Sequence, residues 1–130
     1  MQTEMIDQSS RPEFRFYYFT PRYDETVRFY RDSLGFSVFR QWDRPDGDRG
    51  TIFHSPNGGG LIEVEAGETA PSIVGGLYIE VSDIDLRYRR LRLSGVEIKK
   101  ELGHTSYGHR NFKIVDPNGI EIAFFQYVSP

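Results

Sequence analysis

The sequence predicts an α+β fold of two tandem βαβββ modules, whose strands form a cupped mixed sheet with the helices outside it. The first observation is a repeat with a spacing of about sixty residues. YDETVRFYRDSLGF, which begins at Tyr23, and SDIDLRYRRLRLSGV, which begins at Ser82, each combine a helical apolar stripe with a closing glycine. The second observation is that a Pro-Asn-Gly turn and a strand-like run follow each of them. A repeat of this length is typical of one supersecondary unit whose two copies bury a shared face.

The first module is predicted to cover residues 13–66. An aromatic run at residues 14–19 indicates its first strand. Apolar residues then recur at helical spacing, at Tyr23, Val27, Tyr30 and Leu34. They predict a helix over residues 24–34 that ends at Gly35, where a left-handed C-terminal residue is needed. Turn residues separate three more predicted strands, at residues 36–42, 51–54 and 61–65.

Residues 67–74 are predicted to connect the modules, and residues 75–130 to form the second one. Ser82 is the expected N-cap of a helix over residues 83–93, with Asp85 in the capping-box position. The strands of this module are predicted at residues 76–81, 96–101, 111–115 and 120–127. The polar residues 1–12 are predicted to be a flexible N-terminal segment.

Alternation along the strands separates a face that packs under the helices from a face that points away from them. In residues 76–81, Leu77, Ile79 and Val81 form the apolar row, which leaves Tyr78 and Glu80 on the opposite face. In the other strands the opposite face carries Arg15, Tyr17, Phe19, Glu63, Glu65 and Phe125. Tyr107 and His109 lie with His104 in a predicted loop that can close over the mouth of the cup. Aromatic area combined with a few polar groups is typical of a small-molecule site, so all of these opposite-face and loop residues except His104 are candidate ligand-binding residues.

The composition argues against several classes of protein. The net charge is −3, with 16 Lys and Arg against 19 Asp and Glu, which does not favour nucleic-acid binding. The lack of cysteine excludes disulfides and thiolate catalysis and fits the cytoplasm. No apolar run is long enough to span a bilayer, and Glu4 and Asp7 argue against a signal peptide. We therefore expect a cytoplasmic protein with a small-molecule ligand and no nucleic-acid or membrane partner.

Three sequence motifs resemble those of the vicinal oxygen chelate superfamily, which includes glyoxalases, bleomycin-resistance proteins and extradiol dioxygenases. VRFYRDSLGF at residues 27–36 is similar to the superfamily's FYrdvLGF signature, and DPNG at residues 116–119 to its DPdGn turn. SDID at residues 82–85 resembles the start of its second helix. The resemblance covers residues 14–127 and implies paired βαβββ modules in a homodimer.

In enzymes of this superfamily a divalent metal lies in the cup, bound by residues of the first and last strands of each module. The resemblance places these ligand positions at Arg15, Glu63, Gly76 and Ala123. Only Glu63 can bind a metal there, because arginine has no acceptor atom and the side chains of glycine and alanine have no ligand atoms. Zinc and similar ions need three or four protein ligands, so we predict no metal and no other cofactor, with Arg15 and Glu63 as an ion pair. The alternative is a rearranged metal site formed by Glu63 with His54, His104 and His109.

Three functions are compatible with these observations. The favoured one is a metal-free, resistance-type protein that binds and sequesters a small molecule, because three of the four ligand positions lack a metal ligand. The first alternative is a metal-dependent glyoxalase-type lyase or isomerase, or a dioxygenase, so the sequence leaves open whether the protein is an enzyme. The second alternative is a non-catalytic partner domain. The aromatic residues of the cup argue against it, since such residues are unusual on an unused surface.

Overall fold

The computed structural model describes residues 12–129, so the predicted flexible segment 1–12 lies outside the described residues except for Pro12. Eight strands and two helices follow one another as β1 (Arg15–Thr20), α1 (Tyr23–Arg28) continued by a π-helical turn (Phe29–Ser33), β2 (Val38–Asp43), β3 (Arg49–His54), β4 (Leu61–Ala66), β5 (Gly76–Glu80), α2 (Ile84–Leu93), β6 (Ile98–His104), β7 (His109–Val115) and β8 (Glu121–Tyr127). This order confirms the α+β class and the two tandem βαβββ modules.

The strands form two four-stranded sheets, with the orders β1-β4-β3-β2 and β5-β8-β7-β6. In each sheet the first strand pairs parallel with the last strand of its module, and the remaining pairs are antiparallel. The registers also correspond, because Tyr17 lies beside Glu63 and Tyr78 beside Ala123. The repeat seen in the sequence is therefore a repeat of strand pairing.

The first helix has the predicted buried stripe but not a uniform α-helical geometry. Tyr23, Val27, Tyr30 and Leu34 are all buried. Residues 29–33 wind as a π-helix instead, with the N–H of Leu34 donating to the carbonyl of Phe29. The wider turn accompanies close packing of the Tyr30 ring, whose centroid lies 5.6 Å from that of Phe53. The helix ends at Gly35, whose φ of 75° is the predicted left-handed conformation.

The prediction that Ser82 caps the second helix is wrong. Asp83 occupies the N-cap position, and no side chain there accepts a capping hydrogen bond. The carboxylates of Asp83 and Asp85 are instead held in ion pairs, at 3.1 Å from Arg87 and 2.7 Å from Arg110 respectively. The free N–H of Ile84 donates to the side-chain oxygen of Gln126 on β8 at 3.2 Å, so the last strand supplies the cap.

The histidines predicted to lie in a loop are at strand ends. His104 ends β6 opposite Arg110, and His109 begins β7 opposite Tyr127. The loop between them is reduced to residues 105–108, in which Thr105 accepts a hydrogen bond from the N–H of His109 at 3.0 Å. His109 is therefore part of a sheet, and Tyr107 alone of the candidate residues lies in the loop.

A buried carboxylate joins the two modules on the helix side of the sheets. Asp116, in the β7–β8 turn, accepts hydrogen bonds from the hydroxyls of Tyr18 at 3.1 Å and Tyr30 at 2.9 Å. Its other oxygen accepts the N–H groups of Asn118 and Ile120 at 2.8 and 2.9 Å. Burial raises the pKa of both tyrosines, so their hydroxyls remain protonated donors. The first module thus depends on a turn of the second for its buried polar partners.

Around this carboxylate, buried apolar residues of both modules form one continuous core. The ring of Phe36 meets that of Phe124 edge-on, with centroids 6.3 Å apart. Along residues 12–129, no helix is long and apolar enough to cross a membrane.

Removal of the Tyr30 hydroxyl tests the importance of this junction. We expect Tyr30→Phe to lower the free energy of unfolding by about 1.5–3 kcal/mol, because its hydrogen bond goes to a charged acceptor. The matched control is Tyr23→Phe, which removes a buried hydroxyl bonded to the neutral Thr51 at 2.7 Å. That change is expected to cost about 0.5–1.5 kcal/mol. Urea unfolding measures both, and an equal or larger loss for Tyr23→Phe would contradict this account.

Candidate functional site

The side of the first sheet that points away from the helices carries charged and aromatic residues, and we call it the charged face: Arg15, Tyr17, Phe19, Glu63 and Glu65. The guanidinium of Arg15 donates to Glu63 at 2.7 Å and to Glu13 at 2.6 Å. The predicted ion pair between Arg15 and Glu63 is therefore confirmed. It satisfies one of the two carboxylates that β4 presents on this face, and leaves the other, Glu65, without a cationic partner among the described residues.

Glu65 is half-buried on the charged face. Partial burial, together with the neighbouring carboxylates of Glu63 and Asp48, raises the pKa of Glu65 to about 7. Across the sheet, Glu65 is opposite Gly50, which in turn is opposite Trp42. The Trp42 ring lies against Gly50, where any larger side chain would clash with it, and its Nε1 donates to Asp48 at 2.9 Å.

The remaining two residues of the charged face are aromatic. The rings of Tyr17 and Phe19 meet edge-on with centroids 6.4 Å apart. Their exposed fractions are 62% and 46%, although both are large apolar groups. The charged face therefore combines an Arg–Glu pair, a carboxyl that titrates near neutrality and two exposed rings.

The corresponding side of the second sheet is dominated by rings, and we call it the aromatic face: Tyr78, Tyr107, His109, Asn111, Phe125 and Tyr127. The imidazole of His109 stacks on Phe125, with centroids 4.3 Å apart and planes 22° from parallel. Tyr107 and Tyr127 meet the same imidazole edge-on, at 5.0 and 4.8 Å. Tyr78 packs on Phe125 at 4.8 Å. Such offset and edge-on contacts hold the rings in fixed relative positions.

The hydroxyl of Tyr78 is the polar centre of the aromatic face. It lies 3.3 Å from each of three groups, the Tyr107 hydroxyl, His109 Nδ1 and Asn111 Nδ2. Since Asn111 Nδ2 can only donate, the Tyr78 oxygen accepts there. One hydrogen bond joins the Tyr78 and Tyr107 hydroxyls, and either can be its donor. This hydrogen bond raises the pKa of Tyr107.

The structure brings the candidate residues together in two separate groups. Along residues 12–129, no hydrogen bond, ion pair or ring contact joins the charged face to the aromatic face. Glu80 belongs to neither network: its side chain is exposed, and its backbone carbonyl accepts a hydrogen bond from Asn57 at 2.9 Å. A groove of about 430 Å³ lies between β1 and β5, and Phe14, Phe16, Leu61 and Tyr78 contribute to its lining.

Two residues of the aromatic face, Asn111 and Tyr127, were missed in the sequence, as was Trp42 beside the charged face. Alternation from Phe125 would have found Tyr127, and alternation from His109 would have found Asn111 once His109 was placed in a strand. No sequence pattern indicated Trp42, because its ring can lie over the sheet only where its strand partner, Gly50, has no side chain.

The residues at the superfamily's metal positions do not fit a metal ion. Arg15 presents a cation there, already paired with Glu63. Gly76 has no room for a ligand, since a Cβ at this position would clash with the carbonyl of Glu121. Nor do the three histidines form the alternative site, because no group of three or more His, Cys, Asp or Glu residues in the described part of the chain could hold a metal.

The pKa of Glu65 makes the stability of the fold depend on pH. A folded-state pKa of about 7, against an ordinary value of 4.5, means that the folded state favours the protonated carboxyl. This contribution is complete below pH 4.5 and is lost as the pH rises through 7, so the free energy of unfolding falls over that interval. We expect Glu65→Gln to remove this fall, as measured by urea unfolding at a series of pH values.

Glu63→Gln provides the second arm of this experiment. It removes a neighbouring negative charge and is expected to lower the pKa of Glu65, as followed by carbon-13 NMR of the side-chain carboxyl. A wild-type Glu65 resonance that titrates at its ordinary pKa of 4.5 would refute this description of the charged face.

Comparisons with known proteins agree with this geometry at the level of the fold. The crystal structure of TioX from Micromonospora sp. ML1 has a TM-score of 0.73 and 18% identity, covering 90% of this chain and 99% of that one. TnmS3, an antibiotic binding protein from Streptomyces sp. CB03234, has a TM-score of 0.70 and 20% identity, covering 89% and 95%. A glyoxalase I mutant from Zea mays has a TM-score of 0.72 and 18% identity, covering 97% of this chain and 49% of that one.

A binding protein and an enzyme thus resemble this fold about equally, and the fold alone does not separate the two functions. No curated protein matches the chain significantly. The family model of the Glyoxalase/Bleomycin resistance protein/Dioxygenase superfamily matches residues 14–124, almost the full length of both modules. The chain therefore belongs to the Glyoxalase/Bleomycin resistance protein/Dioxygenase superfamily.

Proposed function

We propose that the protein binds a small, partly aromatic molecule between its charged and aromatic faces and sequesters it without metal chemistry. The observation that carries the proposal is the aromatic face, on which exposed rings surround one polar centre. A large ring that stays exposed on a protein surface forgoes the free energy of burial unless another molecule covers it. Contiguous exposed apolar area therefore marks binding surfaces. A resistance-type function follows, because removing a toxic compound from solution requires affinity alone.

The exposed rings supply the apolar part of this affinity. Tyr78, Tyr107 and Tyr127 are 48%, 62% and 64% exposed, so a flat ligand can cover much of their area. Each well-stacked ring pair contributes about 0.5–1.5 kcal/mol beyond burial. The groove between β1 and β5 reaches Tyr78, which gives an extended ligand a path from the aromatic face towards Phe14 and Phe16.

The charged face supplies orientation. Arg15 offers a planar donor to a carboxylate or carbonyl oxygen of the ligand, and its pairing with Glu63 holds it in place. Glu65 and Glu80 can accept hydrogen bonds from amines or amides. TnmS3, a similar fold, is described as an antibiotic binding protein, which supports a binding function for this scaffold.

We also propose that the protein is a cytoplasmic homodimer. The charged and aromatic faces of one chain do not contact each other. A second copy can therefore complete a cup if its charged face lies opposite the aromatic face of the first copy, or its aromatic face opposite the charged one. Light scattering at micromolar concentration should give twice the mass of 15.1 kDa. A monomer would restrict the ligand to the faces and groove of a single chain.

The absence of metal chemistry is tested on the purified protein. We expect elemental analysis to find far less than one zinc, nickel, iron or manganese ion per chain, because one carboxylate paired with an arginine does not form a site. Addition of each ion should leave the melting temperature unchanged. About one transition metal per chain, or EDTA-sensitive turnover of a hemithioacetal or catechol, would replace this proposal with an enzyme function.

Ligand binding is tested by screening fused-ring aromatic compounds for thermal stabilisation of the protein. For a compound that stabilises it, we expect Tyr78→Ala and Arg15→Ala each to weaken binding roughly tenfold, since each removes about one stacking or charged contact. Leu93→Ala is the matched control, because Leu93 is 89% exposed on α2, away from both faces. Unchanged affinity in both test variants would place the site elsewhere.

A further inference from the structure

One buried polar atom of the aromatic face has no partner. The side chain of Asn111 is 1% exposed, and its Nδ2 donates to Tyr78. Its Oδ1 accepts no hydrogen bond from any residue between 12 and 129, and no other buried side-chain atom there is left in this state. Since nine-tenths or more of buried polar groups are paired, an unpartnered carbonyl beside a ligand-binding surface indicates an acceptor that something else satisfies.

The surroundings of Asn111 leave room for such a partner. Phe112 and Ile114, its neighbours on β7, point into the core, so Asn111 points to the aromatic face. Directly opposite it on β6 is Gly103, and a Cβ at Gly103 would meet only the Lys100 ammonium, at 4.0 Å. A side-chain-sized space therefore adjoins Asn111, with the Lys100 ammonium at its edge.

The Lys100 side chain at the edge of this space can move. Its ammonium makes one hydrogen bond, to the carbonyl of Glu101 at 3.2 Å, and that carbonyl lies in the same strand. A lysine ammonium released from one backbone carbonyl regains its hydrogen bonds from water, and the long side chain has many alternative rotamers. Lys100 can therefore leave the space beside Gly103 at the loss of one hydrogen bond.

We propose that Asn111 Oδ1 receives an O–H or N–H donor from the ligand, whose ring lies on the aromatic face and displaces Lys100 over Gly103. The inference rests on the proposed function and narrows its ligand to aromatic molecules that carry a phenol or amide donor. A donor is required because Oδ1 is a carbonyl oxygen, which can only accept a hydrogen bond, and no residue between 12 and 129 donates to it.

The test uses two probes that differ only in the donor, 2-naphthol and 2-methoxynaphthalene, titrated into the full chain by proton–nitrogen NMR. We expect 2-naphthol to bind about tenfold more tightly, the effect of one additional hydrogen bond, and to shift the side-chain amide signals of Asn111. Asn111→Leu keeps the volume and removes the acceptor. It should fold at least as stably, because it removes an unpaired buried group, and should bind both probes equally.

A second variant separates the site from the fold. Gly103→Val fills the space beside Asn111 at a glycine whose φ is not positive and whose added Cβ would meet only the Lys100 ammonium, at 4.0 Å, and it should abolish binding of both probes at the aromatic face. Lys99→Val, an exposed residue of the same strand, is the control and should bind as wild type does.

The outcomes distinguish this inference from the broader proposal. Equal binding of the two probes to the wild type, with shifts at Tyr78 and Phe125, would overturn the donor assignment and leave the ligand-binding function intact. Unmoved Asn111 amide signals at saturation would also overturn it, because a resident water would then satisfy Oδ1. Tighter binding of 2-acetylnaphthalene than of 2-naphthol would show that the amide presents its donor instead. No binding of any probe up to millimolar concentration would contradict both proposals.

Discussion

The hydrogen bonds that Asp116 accepts from Tyr18 and Tyr30 fix how the two modules are placed. A buried carboxylate is costly unless its lone pairs are satisfied, and here two donors come from its own turn and two from the other module. The modules therefore cannot separate without leaving a charge unpaired. This requirement holds Tyr30 in the core of the first module and positions the β7–β8 turn against it. The charged and aromatic faces inherit their relative orientation from this junction.

Equivalent positions of the two modules carry opposite chemistry on a common scaffold. Glu63 and Glu65 of β4 correspond to Ala123 and Phe125 of β8, as the two parallel registers show. The first module thus has charged residues where the second has apolar ones. Because the buried alternate residues of both modules remain aliphatic or aromatic, this divergence leaves the core intact. The repeat therefore presents two faces of different chemistry on one continuous core.

Sequence periodicity predicted the elements well, because burial imposes it. The stripe from Tyr23 to Leu34 and the alternation in β5 and β8 each follow from one buried side, and both are seen. The Arg15–Glu63 pair was also predictable, since the resemblance placed two opposite charges at converging positions. The α+β class followed from these patterns, and the family followed from the motifs at residues 27–36, 82–85 and 116–119.

Features that depend on three-dimensional partners were not predictable. The cap of α2 comes from Gln126, more than forty residues away, and the π-helical turn accompanies ring packing around Tyr30. The extension of β6 and β7 to include His104 and His109 depends on pairing with neighbouring strands, which local composition does not encode. Asn111 was missed for the same reason, because only the register shows that Gly103 leaves space beside it.

The close approach of β5 to β8 at Gly76 limits how this protein can change over evolutionary time. Any side chain at Gly76 would collide with the backbone carbonyl of Glu121, so a single substitution cannot install a metal ligand there. The two strands would first have to move apart, which would break the parallel ladder beneath the aromatic face. A metal ligand at position 76 would therefore require a backbone rearrangement in addition to a new side chain. By contrast, Tyr78 and Tyr127 are 48% and 64% exposed, so single substitutions there can change the chemistry of the aromatic face while the backbone stays in place.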